Sequence, residues 1–160
     1  MMKNLLSIFM LGVLSGSISF VDSIPEGYAG DRATITDSFA NHAGPTAHFF
    51  VLSKISGQAV EDSGYRTEVD NYGRGRNMTP VMVSREVTTQ EQSFTIKGFV
   101  QFASIAESFG KDDMLVEGVT QFTPSANQVY TVRGSLGTAK SKVWIEDSSG
   151  EVVGEPVSTE

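Results

Sequence analysis

Few side chains in this sequence have the types and spacing that chemistry needs. Asp37, His42 and His48 lie close together in the chain and form the nearest approach to a metal-ligand set. A carboxylate and two imidazoles suit a divalent transition metal, but their spacing matches no ligand pattern, and a loop histidine and a strand histidine need not converge. They read as two partly exposed histidines, and no metal or cofactor is expected. Nucleophilic catalysis needs a hydroxyl beside a base that is itself held by an acid. Ser38 and His42 offer two of those parts, but no G-x-S-x-G elbow occurs and no catalytic residue is assigned.

Two further constellations invite a ligand. Carboxylates pair at Glu61-Asp62, Asp112-Asp113 and Glu146-Asp147, and the last pair follows the single tryptophan, Trp144. An indole with acids beside it is what a sugar-binding cleft uses, and Tyr130 and Phe122 would complete an aromatic platform. Strand alternation argues the other way: Trp144 and Glu146 point to one side, Val143 and Ile145 to the other, so Trp144 reads as a packing anchor over one end of the core. Gly73-Arg74-Gly75-Arg76 offers backbone N–H groups and two guanidinium forks to an anion. It does not join a strand to a helix, so it is no nucleotide loop, and its arginines are expected to pair with Glu68 and Asp70. The candidate binding surface is thus Trp144, Tyr130, Phe122, Arg74, Arg76, His42 and His48, with the irregular stretches 39–46 and 73–77 as its expected location.

Bulk properties narrow the setting. The 160 residues carry a formal net charge of −7 and no cysteine. Acidity without a Lys/Arg cluster disfavours nucleic acid and anionic membrane surfaces. Lys3 followed by the apolar run Leu5 to Leu14 and the small residues Ser15, Gly16, Ser17 and Ser19 has the form of a secretory leader. The apolar run is shorter than the ~20 residues a membrane span needs. Cleavage is expected after Ser19, with Ser23 as the alternative. Without cysteine the chain can have neither a lipid anchor on a lipobox nor disulfides, which suits a bacterial periplasm or medium better than an animal secretion.

The elements that must position these residues read as strands. Ala33 to Ser38 suits a short edge strand, and Phe39 to Thr46 a turn-rich loop. His48 to Ile55 places Phe49, Val51 and Ile55 on one face and Phe50 and Leu52 on the other, as in a strand covered on both sides. Glu61 to Asn77 has the weakest signal. Met78 to Val87 resumes alternation, with Pro80 at an edge or bulge and Val81, Val83, Arg85 and Val87 in one phase. Ser93 to Phe102 alternates until Gly98, which permits a bulge. Ala103 to Phe109 is a helical turn or a loop. Met114 to Phe122 and the stretch from Val119 to Val153 supply the remaining strands. No run of ten or more residues after the leader has a helical period. The expected fold is all-β: a single antiparallel β-sandwich or barrel of about eight short strands, of immunoglobulin-like or transthyretin-like size. The expected domain map is a leader at 1–19, an extended arm at 20–32 and the sandwich at 33–157.

Several phrases, among them Pro25-Glu26-Gly27-Tyr28-Ala29-Gly30, Asn71-Tyr72-Gly73-Arg74-Gly75, Val129 to Gly134 and Val143-Trp144-Ile145-Glu146-Asp147, resemble a group of small secreted proteins of Gram-negative bacteria. The resemblance implies a compact exported β-domain and brings no catalytic residues. The expectation for function is an exported, non-catalytic protein acting by binding or assembly in the periplasm. Its partner would be another periplasmic protein or a small ligand, with no nucleic acid and no integral membrane span. A glycan-binding module is the alternative, and a serine hydrolase the third reading.

Overall fold

The computed structural model describes residues 17–111 and 113–160, so the expected leader lies almost wholly outside the described residues, as does Asp112. In chain order the elements are β1 (Arg32–Thr36), β2 (Ser38–Ala43), β3 (Thr46–Ile55), β4 (Gln58–Ala59), α1 (Ser63–Asn71), β5 (Ser84–Thr88), β6 (Gln92–Phe102), α2 (Ile105–Ser108), β7 (Leu115–Phe122), β8 (Val129–Ser135), β9 (Lys142–Glu146) and β10 (Val152–Ser158). They build two facing sheets. The first runs β10-β9-β8-β1-β5 and the second β2-β3-β6-β7, with β4 paired to the end of β3. The architecture is the expected mostly-β, sandwich-like one, with two corrections. Ten strands are present among the described residues where about eight were expected, and the first sheet is mixed, because β1 pairs parallel with β8 while its other pairs are antiparallel.

One continuous segment, 32–43, belongs to both sheets. As β1 it buries Ala33 and Ile35; past Asp37 it becomes β2 and pairs with β3. The stretch expected as a loop at 39–46 is therefore mostly strand and hairpin. Strands that change sheet form the corners of such sandwiches. Ser38 secures this corner from inside, its hydroxyl donating to the Val132 carbonyl of the opposite sheet.

The main core lies between the sheets and takes in Ile35, Phe50, Leu52, Val87, Phe94, Ile96, Tyr130, Val132, Val143 and Ile145. Alternation places most of these, but Ile55 sits here with Phe50 and Leu52, not with Phe49 and Val51. The register of β3 against β6 shifts between Leu52 and Lys54, and that irregularity reverses the phase of everything after it. Gly98 does not mark the expected bulge; its pairing with β7 runs on without a break. A Cβ there would meet Val116 of β7 at 3.0 Å and Phe50 of β3 at 3.1 Å, so glycine makes room for the inward side chains of the strands on either side.

A second, smaller core covers the outer face of the second sheet, where Ala47, Phe49 and Val51 of β3 pack with Met78 and, half-buried, Met82, Phe99 and Ala103. This is the double coverage that the two apolar faces of β3 demanded. Its cover is α1 with the extended chain after it, in the region of weakest sequence signal. Met78–Val83 is accordingly not strand, and β5 begins only at Ser84.

Three polar side chains on one stripe of α1 hold that extended chain. The Ser63 hydroxyl accepts from the Val83 N–H (2.7 Å), the Thr67 hydroxyl accepts from the Val81 N–H (2.8 Å), and the Asn71 Oδ1 accepts from the Thr79 N–H (2.8 Å). Four residues of helix rise about 6.0 Å and two extended residues about 6.6 Å, so every fourth helical residue meets every second residue of the antiparallel chain. The segment gains the donors' partners it would have found in a sheet.

Candidate functional site

A groove of about 740 Å³ opens on the outer face of the second sheet. Helix α1 forms one wall with Tyr65, Glu68 and Asn71, and β6 supplies Lys97, Phe99, Gln101 and Phe102. Ile105 of α2, Tyr72, the two loop glycines and Ile18 complete the rim. Apolar side chains stand open to solvent around it: Tyr72 is 91% exposed, Ile105 79% and Ile18 67%. Phe109, just past α2, is 77% exposed as well.

The floor and the α1 wall are held in place. A Cβ at Gly64 would lie 2.5 Å from the tip of the Phe99 ring, so glycine is what lets the first turn of α1 rest on that ring. Gln101 donates its Nε2 to the Gly64 carbonyl at 3.1 Å, while its Oε1, closed off from solvent, has no donor among the described residues. The Lys97 ammonium lies 4.9 Å from the Phe99 ring centroid, a cation held over an aromatic face. Asp62 caps α1 by accepting from the Tyr65 N–H at 2.9 Å. Burial pushes its carboxyl above the usual aspartate value, and the Tyr65 N–H draws it partly back.

Behind the N-terminus of α1 lies a buried ion pair. Arg85 of β5 grips Asp37 with both terminal nitrogens, Nη1 to Oδ1 at 3.0 Å and Nη2 to Oδ2 at 2.9 Å. The Asp37 side chain is 0% exposed and that of Arg85 7%. The same carboxylate accepts from the Leu52 N–H at the β3 irregularity and from the Ser63 N–H at the first turn of α1, both at 2.9 Å. Arg85 also donates to the Glu61 carbonyl at 3.0 Å. One carboxylate thus fixes the sheet-changing corner, the β3 irregularity and the start of the groove wall. The sequence did hold a signal: Arg85 shares the alternation phase of Val87, and a charge in an inward phase requires a buried counter-charge.

The residues singled out from the sequence do not gather at one place. Asp37 is fully engaged by Arg85 and two backbone N–H groups. His42 shares a hydrogen bond with the Met78 carbonyl at 2.7 Å, and His48 with the Asn41 side chain at 3.2 Å. Among the described residues no three His, Asp or Glu side chains are placed to hold a metal ion. Burial lowers the His48 imidazole below its usual value. Ser38 and His42 are spent on separate carbonyl groups and make no dyad.

Trp144 is not the expected core anchor. The β9 residues buried in the core are Val143 and Ile145, and Trp144 lies half-exposed on the solvent side of the first sheet, opposite Arg133 of β8. Its indole N–H donates to Glu146 Oε2 at 3.1 Å, and Arg133 bridges to Oε1 of the same carboxylate at 3.1 Å. Tyr130 and Phe122 face the other way, into the core, with ring centroids 5.1 Å apart. The three-ring platform is therefore not assembled.

Arg74 and Arg76 are both exposed, and neither pairs with Glu68 or Asp70 among the described residues. Arg66 takes Asp70 at 3.5 Å, and Arg76 lies 3.8 Å from Glu107 of α2, linking two sides of the groove. The Arg74 N–H donates to the Asn71 carbonyl at 3.0 Å, so the loop closes the helix end rather than presenting that donor to an anion. Gly73 and Gly75 take φ of +76° and +83°, the left-handed region that favours glycine.

No helix among the described residues is long and apolar enough to cross a membrane. No protein-family model, no curated protein and no solved structure matches the chain.

Proposed function

We propose that this is an exported, non-catalytic binding protein that holds an apolar segment of a partner protein in the groove between α1, β6 and α2. The observation that carries the reading is the pair of solvent-exposed apolar side chains, Tyr72 and Ile105, on the rim of a groove floored by Phe99 and Phe102. Contiguous exposed apolar surface rimmed by polar residues is the usual mark of a protein-binding site. The leader pattern and the absence of cysteine support the periplasmic setting.

The test is capture from a periplasmic extract with the wild-type chain and with a Tyr72→Ser/Ile105→Ser double variant. Both positions are exposed, so the fold should survive, as circular dichroism would check. The reading expects one abundant partner retained by the wild type and lost with the variant. No abundant partner, or equal capture by both proteins, contradicts it.

A glycan on the first sheet is the second reading, favoured by one observation: Trp144 stands on the solvent side of that sheet with its indole N–H fixed by Glu146. A change in Trp144 fluorescence on titration with oligosaccharides, absent in Trp144→Ala, would support it over the groove.

A further inference from the structure

We infer that the partner segment binds as an amphipathic α-helix, laid beside α1 over β6 and β7, with basic residues on the flank that meets α1. The inference rests on the reading of the groove as a protein-binding surface and specifies what that surface takes.

The receiving surface is wider than the groove. Along β7, Val116 and Thr120 are buried toward the core, while Leu115, Glu117 and Val119 are exposed on the outer face of the second sheet. The register with β6 sets Leu115 beside Phe99 of the groove floor, Glu117 beside Lys97, and Val119 beside Thr95. Over β3 the outer face is covered, with Ala47, Phe49 and Val51 buried in the smaller core. Over β7 it is bare among the described residues, and Leu115 and Val119 are each more than half exposed. The apolar floor therefore runs on from Phe99 across an uncovered strand.

Backbone pairing and spacing give the occupant its form. β6 is paired with β3 on one side and β7 on the other, so the floor presents side chains and no open strand edge. An extended segment buried there would leave its N–H and C=O groups without partners, whereas a helix pairs its own. Helices pack about 8–10 Å apart, and two strand spacings come to about 10 Å. A helix set beside α1, which packs on β3, thus lies over β7 with its near side on Phe99. Charge gives the flank. The α1 wall brings Asp62 and Glu68 to the groove and no base, while Lys97 and Glu117 oppose each other across the β6–β7 pairing. Basic residues on the α1 side of the incoming helix complement that wall.

The test places a benzophenone-bearing residue at 72, 105, 115 or 119 of the protein in the periplasm and locates the joined partner residues by mass spectrometry. Positions 115 and 119 are about 13 Å apart along β7, a distance spanned by about nine residues of helix but only about four of extended chain. All four positions should join one partner segment, with the residues joined to 115 and 119 about eight to ten apart in its sequence. Glu68→Lys, an exposed change that leaves the fold intact, should lower the adduct yield severalfold. A separation of about four residues overturns the helix, and an unchanged yield with Glu68→Lys overturns the basic flank. Adducts from 72 and 105 with none from 115 or 119 overturn the inference and leave the groove reading standing. Adducts to a second copy of the chain, or to its own residues 1–19, overturn it as well. No adduct from any of the four positions removes both readings together.

Discussion

Replacing Arg85 with methionine is the sharpest test of how this fold is held at its corner. The substitution keeps most of the side-chain length and leaves Asp37 buried with the N–H groups of Leu52 and Ser63 as its remaining donors among the described residues. Losing one partner of a buried ion pair costs about 3–5 kcal/mol, because the remaining charge is uncompensated. For a domain of this size that is a fall of roughly 10–15 °C in melting temperature. Pairing the change with Asp37→Leu separates two accounts. If the pair were only charge against charge, the apolar double variant would recover most of the loss, as buried ion pairs often do when replaced whole. Here the carboxylate also serves two buried N–H groups, each costing about 1–3 kcal/mol when unpaired. The double variant should therefore stay well below wild type. Urea unfolding of the three proteins gives the comparison. Arg85→Met within about 1 kcal/mol of wild type would refute the role of the pair, and full recovery in the double variant would refute the role of the backbone donors.

Three further outcomes follow from the same geometry. Thr67→Val keeps the shape but removes the acceptor of the Val81 N–H, and should cost about 1–3 kcal/mol by urea unfolding; no loss would mean that α1 does not hold the 79–83 segment in this way. Trp144→Ala should cost less than about 2 kcal/mol, while Ile145→Ala, one residue on and 0% exposed, should cost about 2–5 kcal/mol; the reverse order would restore Trp144 to the core. The His48 ring should titrate below 6.5 by NMR, since burial disfavours its cation. The unfolded chain then takes up the proton first as pH falls, so His48 contributes stability above pH 6.5 that is lost on acidification. A midpoint at or above 6.5 would contradict its burial.

Period-two alternation carried much of the fold. It found β6 with its inward residues Phe94 and Ile96, it found β9 as a strand but with its two faces exchanged, and the two apolar faces of β3 correctly required a cover on each side. What that cover is could not be read, because the α1 residues that face the protein are Ser63, Gly64 and Thr67, which leave no hydrophobic period to detect. Their work is polar pairing and close approach, and both depend on a segment far away in the sequence. The parallel pairing of β1 with β8 was hidden for the same reason: it joins Ile35 to Tyr130, and no local signal specifies it. Trp144 was misplaced by taking its side of the strand as the core side. It shares the phase of Glu146, and it is the opposite phase, Val143 and Ile145, that is buried. At the groove, Gly73 and Gly75 could be expected to mark a functional loop. Tyr72, Ile105 and Phe99 could not be brought together without knowing that α1 and β6 are neighbours.

The central claim, that the groove is the working surface, is tested most directly by photo-crosslinking in the periplasm. A photoreactive residue is placed at 72, at 105 or, as control, at 144 on the other sheet. The claim requires the same partner adduct from positions 72 and 105 and none from 144. Adducts from 144 alone, or none from either groove position, would contradict it.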